Sequence, residues 1–167
     1  KCAGGWVSIA LSWVNDEVAL EVACLAQMRK GEALSDVSLF EASSKDNRGI
    51  CDSKDALTVW FGRGTSGYEI LHIDLRHSAE IERVLLFVRA PANSSLAAAG
   101  NAHVFARKPE ETIYEFALDG TTDAQLCSLV NLQGDGQGGL VLTREELYFS
   151  DVQQFDHHYG WPSTGQE

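Results

Sequence analysis

The chain has 167 residues, 44% of them hydrophobic and 22% charged, and a formal net charge of −11. That length suits one domain, large enough to bury about two thirds of its unfolded surface, and the composition excludes a disordered chain. The acidic balance argues against nucleic acid, whose binders need Lys and Arg to release counterions, and no apolar run is long enough for direct membrane insertion.

The first element is a strand over residues 6–13. Val7, Ile9, Leu11 and Trp13 share one side of an extended backbone, with Ser8, Ala10 and Ser12 on the other. Successive strand side chains point to opposite faces, so this is a half-buried strand with small residues outside. Residues 18–26 are apolar apart from Glu21, 37–42 form a short strand, and 57–61 are rich in β-formers. Residues 69–75 alternate, with Leu71, Ile73 and Leu75 on one face. Residues 84–88 run apolar without a break, which predicts a central strand covered on both sides. Strands follow over 102–106, 112–118 and 140–143, while 124–132 fits strand or helix. The Gly/Ser/Thr loop 62–67 reads as a hairpin connection.

Helix is minor. Residues 76–83 suit one turn. Thr143-Arg-Glu-Glu146 has the form of a capping box, followed by Tyr148, Val152 and Phe155 at helical spacing. The spacing predicts a helix from Arg144 to about Gln154, closing a domain over 1–155, with a flexible tail over 156–167. Frequent short strands with turn signals and no βαβ rhythm predict an all-β fold: a β-sandwich of two antiparallel sheets with a short C-terminal helix.

Four cysteines, Cys2, Cys24, Cys51 and Cys127, are scattered without a C-x-x-C pair. Reduced thiols are the expectation, and with the lack of a secretory pattern after Lys1 they predict a cytoplasmic protein. A Cys24–Cys127 or Cys2–Cys51 bridge stays open.

Acidic residues cluster in the connections: Asp16 and Glu17, Glu32 and Asp36, Asp46, Asp52 and Asp55. Calcium takes about 6–8 oxygen ligands, which a sandwich collects where loops meet at one end. Asp156-His157-His158 is a weaker metal set, because neighbouring histidines diverge on a strand or a helix. No nucleophile elbow or Cys–His pairing is present, and His72 and His103 lie on strand patterns. The loop 62–67 is glycine-rich but lacks a Walker-type lysine and leads into a strand, so it makes a poor phosphate cradle. Trp60, Tyr68 and Trp161 could stack on a sugar ring, although Trp6, Trp13 and Trp60 sit where core packing is the default.

Three segments together resemble the TerD family of bacterial tellurite-resistance and general stress proteins. They are Val7-Ser-Ile-Ala-Leu-Ser-Trp13; the stretch from Ser35-Asp-Val-Ser-Leu-Phe40 through Gly49 to Asp52-Ser-Lys-Asp-Ala-Leu-Thr-Val-Trp-Phe61; and Glu69-Ile-Leu-His-Ile-Asp-Leu75 followed by Ala79 to Val88. Tyr114-Glu-Phe-Ala-Leu118 and Thr121-Thr-Asp-Ala124 continue the pattern, which spans most of residues 7–143. The resemblance implies a two-sheet sandwich and a non-enzymatic, calcium-binding role in stress response, acting with other proteins in membrane-associated assemblies. Carried over residue by residue, it leaves Glu32, Asp36, Asp52 and Asp55 as metal ligands.

Two departures matter. Leu34 stands where the family pattern has a carboxylate, and the loop after the aromatic strand, Gly62-Arg-Gly-Thr-Ser-Gly67, holds no acid. Fewer carboxylates mean lower affinity. The expectation is a divergent TerD-like module that binds calcium weakly or serves as a protein-interaction scaffold. A carbohydrate-binding sandwich is the alternative, and a hydrolase built on His72 and His103 is a third.

Overall fold

Period-two alternation of apolar side chains decides the layout. The computed structural model describes residues 5–15, 17, 18, 20–34, 38–41, 48–51, 57–63, 68–75, 80–91, 94–108, 111–118, 123–137 and 139–160. The strands are β1 (Gly5–Trp13), β2 (Glu21–Lys30), β3 (Ala33–Leu34), β4 (Ser38–Glu41), β5 (Arg48–Cys51) and β6 (Leu57–Arg63). They continue as β7 (Tyr68–Leu75), β8 (Ile81–Arg89), β9 (Ala102–Lys108), β10 (Glu111–Ala117), β11 (Leu126–Gly134) and β12 (Leu140–Phe149). A 3-10 turn, Leu96–Ala99, lies between β8 and β9, and the helix α1 (Val152–Tyr159) follows β12.

The strands make two antiparallel sheets. Sheet I runs β10-β9-β1-β7-β6-β5; sheet II runs β12-β11-β8-β2, with β3 and β4 sharing the far edge of β2. Val7, Ile9 and Leu11 of β1 face inward, as do Leu71 and Ile73 of β7 and Val104 and Ala106 of β9. They meet Val22, Cys24, Ala26, Val84, Leu86, Val88 and Leu129 from sheet II. Full burial of a large aliphatic side chain contributes about 1.5–3 kcal/mol, so this layer holds the sheets together. One long side of the sandwich is joined where the Arg144 guanidinium lies 4.9 Å over the Phe116 ring, linking β12 to β10.

The run Val84–Val88 is covered on both faces, as its composition predicts. Its second cover is α1. Ala23, Leu25, Leu85, Phe87, Leu126 and Phe149 form an outward apolar face on sheet II, and Phe155 closes it. The Phe155 ring lies 4.7 Å from Phe87 and 5.4 Å from Phe149, centroid to centroid. Polar pairs frame this patch: Glu21 with Arg89 at 2.9 Å, and Arg29 with Glu82 at 2.7 Å. Arg83 donates from Nε to Gln27 and from Nη1 to the Tyr159 carbonyl.

Several expectations change. Arg144 to Phe149 belong to β12, not to a helix, because β11 supplies a full antiparallel partner from Leu126 to Gly134. The helix begins at Val152 instead, with the Asp151 carboxylate accepting from the Gln154 amide at 2.9 Å. It runs on through Asp156 to Tyr159, past the point where the tail was placed, and ends at the left-handed Gly160. Ile81 to Arg83 start a strand opposite Gln27 and Met28, not a helical turn. Residues 124–132 resolve as strand from Leu126. β6 and β7 pair with Arg63 opposite Glu69, so the glycine-rich loop does connect a hairpin.

Cys24 and Cys127 are not bridged. β8 separates their strands, which puts them about two strand spacings, roughly 10 Å, apart, beyond disulfide reach. Burial pushes the Cys127 thiol pKa up, and the nearby Glu146 adds to the shift. Cys2 lies outside the described residues.

Candidate functional site

The described strand ends locate the turn that carries Glu32. β7 ends in sheet I at Leu75 and β8 begins in sheet II at Ile81. Leu75 pairs with Leu57, which pairs with Cys51, so the β5–β6 connection leaves from the same end. Ile81 pairs with Met28, and β2 continues to the turn that holds Glu32. The β3–β4 connection starts beside Arg29, opposite Leu34. Among the four expected ligands, Glu32 is exposed in the β2–β3 turn; Asp36, Asp52 and Asp55 lie outside the described residues.

Glu32 has a cationic neighbour. Arg29 donates from Nε to Glu82 at 2.7 Å, and this bond raises the guanidinium pKa, with a further contribution from Glu32. A guanidinium in the field of a carboxylate competes with any metal ion for it. Arg29 was missed as a site residue, although it stands only three positions before Glu32.

A second carboxylate at this end is committed to the backbone. Asp135 accepts from the amides of Gln137 at 2.7 Å and Gly139 at 3.1 Å, which holds its pKa below the usual carboxylate range. Through Oδ1 it shapes the β11–β12 turn. No group of three or more His, Cys, Asp or Glu able to hold a metal ion occurs among the described residues.

The other sequence candidates separate. His72 lies opposite Ser8 and His103 opposite Ser12, on strands either side of β1. Four residues along and two strands across put them roughly 16 Å apart, too far to act on one atom. His158 packs its ring against Phe149 at 5.5 Å and Tyr159 at 4.6 Å. Asp156 beside it is buried on α1. Trp13 packs against the core and donates from Nε1 to the Val18 carbonyl at 2.7 Å. Trp161 and the side chains of Trp6 and Trp60 fall outside the described residues.

No family profile and no curated protein matches the chain by sequence. Solved structures do match by shape. A protein of unknown function, SAV2460, superposes with a TM-score of 0.63 at 15% identity, covering 97% of this chain and 99% of the other. A homologue of the telluride resistance protein TerD, SCO6318 from Streptomyces coelicolor A3(2), gives 0.61 at 15% identity, over 92% and 95%. The fold is TerD-like. In this TerD-like sandwich the one described ligand, Glu32, lies in the field of an arginine. No helix is long and apolar enough to cross a membrane among the described residues.

Proposed function

We propose that the chain is a non-enzymatic, TerD-like stress-response module that works by binding other proteins, with calcium as a weak ligand at the Glu32 end. The observation that carries this reading is the correspondence of nearly the whole chain to a TerD homologue, 92% of its length. The position of the Glu32 turn, at the end where β5 and β7 stop and β6 begins, supports the cation half. Arg29 beside Glu32 supports weakness, because it neutralises part of the charge a divalent ion needs.

Thermal unfolding with calcium or with chelator tests the metal half. A site with a Kd of about 1 mM gains about 1.4 kcal/mol at about 10 mM calcium, a rise of roughly 3–5 °C in Tm. An unchanged midpoint would remove calcium and leave the interaction role. Retention of partners from a stressed-cell extract, compared with an unrelated sandwich of equal charge, tests that role.

A carbohydrate reading has one supporting feature. Phe105 is exposed on the outer face of sheet I beside the small Ala10, with His103 stacked on it at 6.4 Å. Silence of tryptophan fluorescence across a glycan panel would count against it.

A further inference from the structure

The outer face of sheet I carries a furrow along β1. Val7, Ile9 and Leu11 face the core, so Ser8, Ala10 and Ser12 face out, and all three are small. Larger residues stand on either side. Across to β9 the partners of Ser8 and Ala10 are Arg107 and Phe105; across to β7 they are His72 and Ile70. Phe105 and Ile70 are two strand spacings apart, about 10 Å, which leaves a slot one ring wide over Ala10. The next row, about 7 Å along the strands, is polar: Arg107, Ser8, His72.

Two observations mark that row as a seat for an anion. Ser8 is only 7% exposed although it points away from the core, and its hydroxyl enters no hydrogen bond among the described residues. A buried hydroxyl without a partner costs free energy until a group accepts from it. Arg107 is the second. Arg29, Arg89 and Arg144 stand in ion pairs, and Arg83 donates to Gln27 and Tyr159. Arg107 makes no ion pair among the described residues, in a chain of net charge −11, and faces Thr112 across to β10.

We propose that this furrow binds a small aromatic carboxylate. The carboxylate accepts from the Arg107 guanidinium and the Ser8 hydroxyl, and the ring lies over Ala10 between Phe105 and Ile70. A planar guanidinium matches a planar carboxylate with two parallel bonds. A sugar would bring hydroxyls to the Phe105–Ala10–Ile70 row, which offers only hydrocarbon and leaves them unpaired. The row spacing sets the length of the ligand. A carboxyl group fixed directly to the ring falls short of the polar row, whereas one on a two-carbon arm reaches it. The furrow belongs to sheet I and Glu32 to a turn of sheet II, so this site and the calcium reading stand or fall separately.

Titration of the full chain with trans-cinnamate, read by backbone amide chemical shifts, tests the site. Saturable binding with a Kd of about 0.1–1 mM is expected, with the shifts centred on Ser8, Ala10, Ile70, Phe105 and Arg107. Arg107→Gln should weaken binding at least about tenfold, and Ser8→Ala about three- to tenfold, with the remaining amide spectrum unchanged. Benzoate, whose carboxyl group sits on the ring, and cinnamamide, which carries no charge, should each bind at least about tenfold more weakly. Absence of saturation up to about 10 mM, shifts centred on another surface, or binding indifferent to Arg107→Gln or to loss of the ligand's charge would each overturn the proposal. Tighter binding of glucuronate than of cinnamate would also overturn it, by giving the seat to a sugar.

Discussion

Arg83 on β8 donates from Nη1 to the main-chain oxygen of Tyr159, 3.0 Å away, and so ties the last turn of α1 to the middle of sheet II. A cation at a helix C-terminus also meets the negative end of the helix dipole. Burial lowers the pKa of this guanidinium, a cost that its bonds to Gln27 and Tyr159 offset.

Replacing Arg83 by Gln should therefore loosen α1 before it unfolds the sandwich. The expected loss is about 1–2 kcal/mol in urea unfolding. Amide exchange in Val152–Tyr159 should rise more than in β1 or β7; uniform acceleration would disprove a local role.

Phe155 is fully buried between Phe87 and Phe149. Phe155→Ala should cost about 3–5 kcal/mol, by lost transfer energy and a residual cavity. It should also expose the outer face of sheet II to a hydrophobic dye. Stability within about 1 kcal/mol of wild type would mean the helix adds little to the core.

Asp135 gives a pH dependence with a definite sign. Its folded pKa lies below the ordinary value of 3.8 because two backbone amides donate to the carboxylate. Its contribution is thus present above 3.8 and is lost as pH falls through the folded value. Asp135→Asn should be less stable than wild type at neutral pH, and the gap should shrink on acidification below about pH 4. Parallel urea titrations across that window check it; a gap that widens in acid refutes the assignment.

Gly100 and Gly31 both have positive φ, +82° and +64°, but differ in surroundings. A Cβ on Gly100 would lie 3.3 Å from the Val14 Cβ, whereas one on Gly31 would meet nothing within 4 Å. Gly100→Ala should cost about 1–3 kcal/mol, and Gly31→Ala about 1 kcal/mol. Equal losses would show that backbone conformation alone decides both.

The sandwich was readable because its strands alternate large apolar residues with small or polar ones. Val7, Ile9 and Leu11 against Ser8, Ala10 and Ser12 gave both the strand and its inward face. The closing helix was misplaced because Thr143 and Glu146 have capping-box spacing, a local signal that pairing with β11 overrides. Its true start, Asp151, has the same spacing, with Gln154 three residues on and its Oε1 accepting from the Ser150 amide, so local pattern alone did not separate the two. The two-residue β3 and the four-residue β5 are too short to show a period. Of the site, the place of Glu32 between two strands was legible, but the Arg29–Glu32 proximity was not. It depends on a turn reversing the chain at Gly31, a matter of φ and not of composition.

The two-sided burial of β2 and β8 sets an order on synthesis. Leu25, Leu85 and Phe87 leave the ribosome long before Phe155, so a nascent chain that stops short of α1 shows bare hydrocarbon where the finished protein shows a helix. Sheet II cannot shed its last sticky face until the final turns emerge. A chaperone that waits on that face would let go only when translation reaches them.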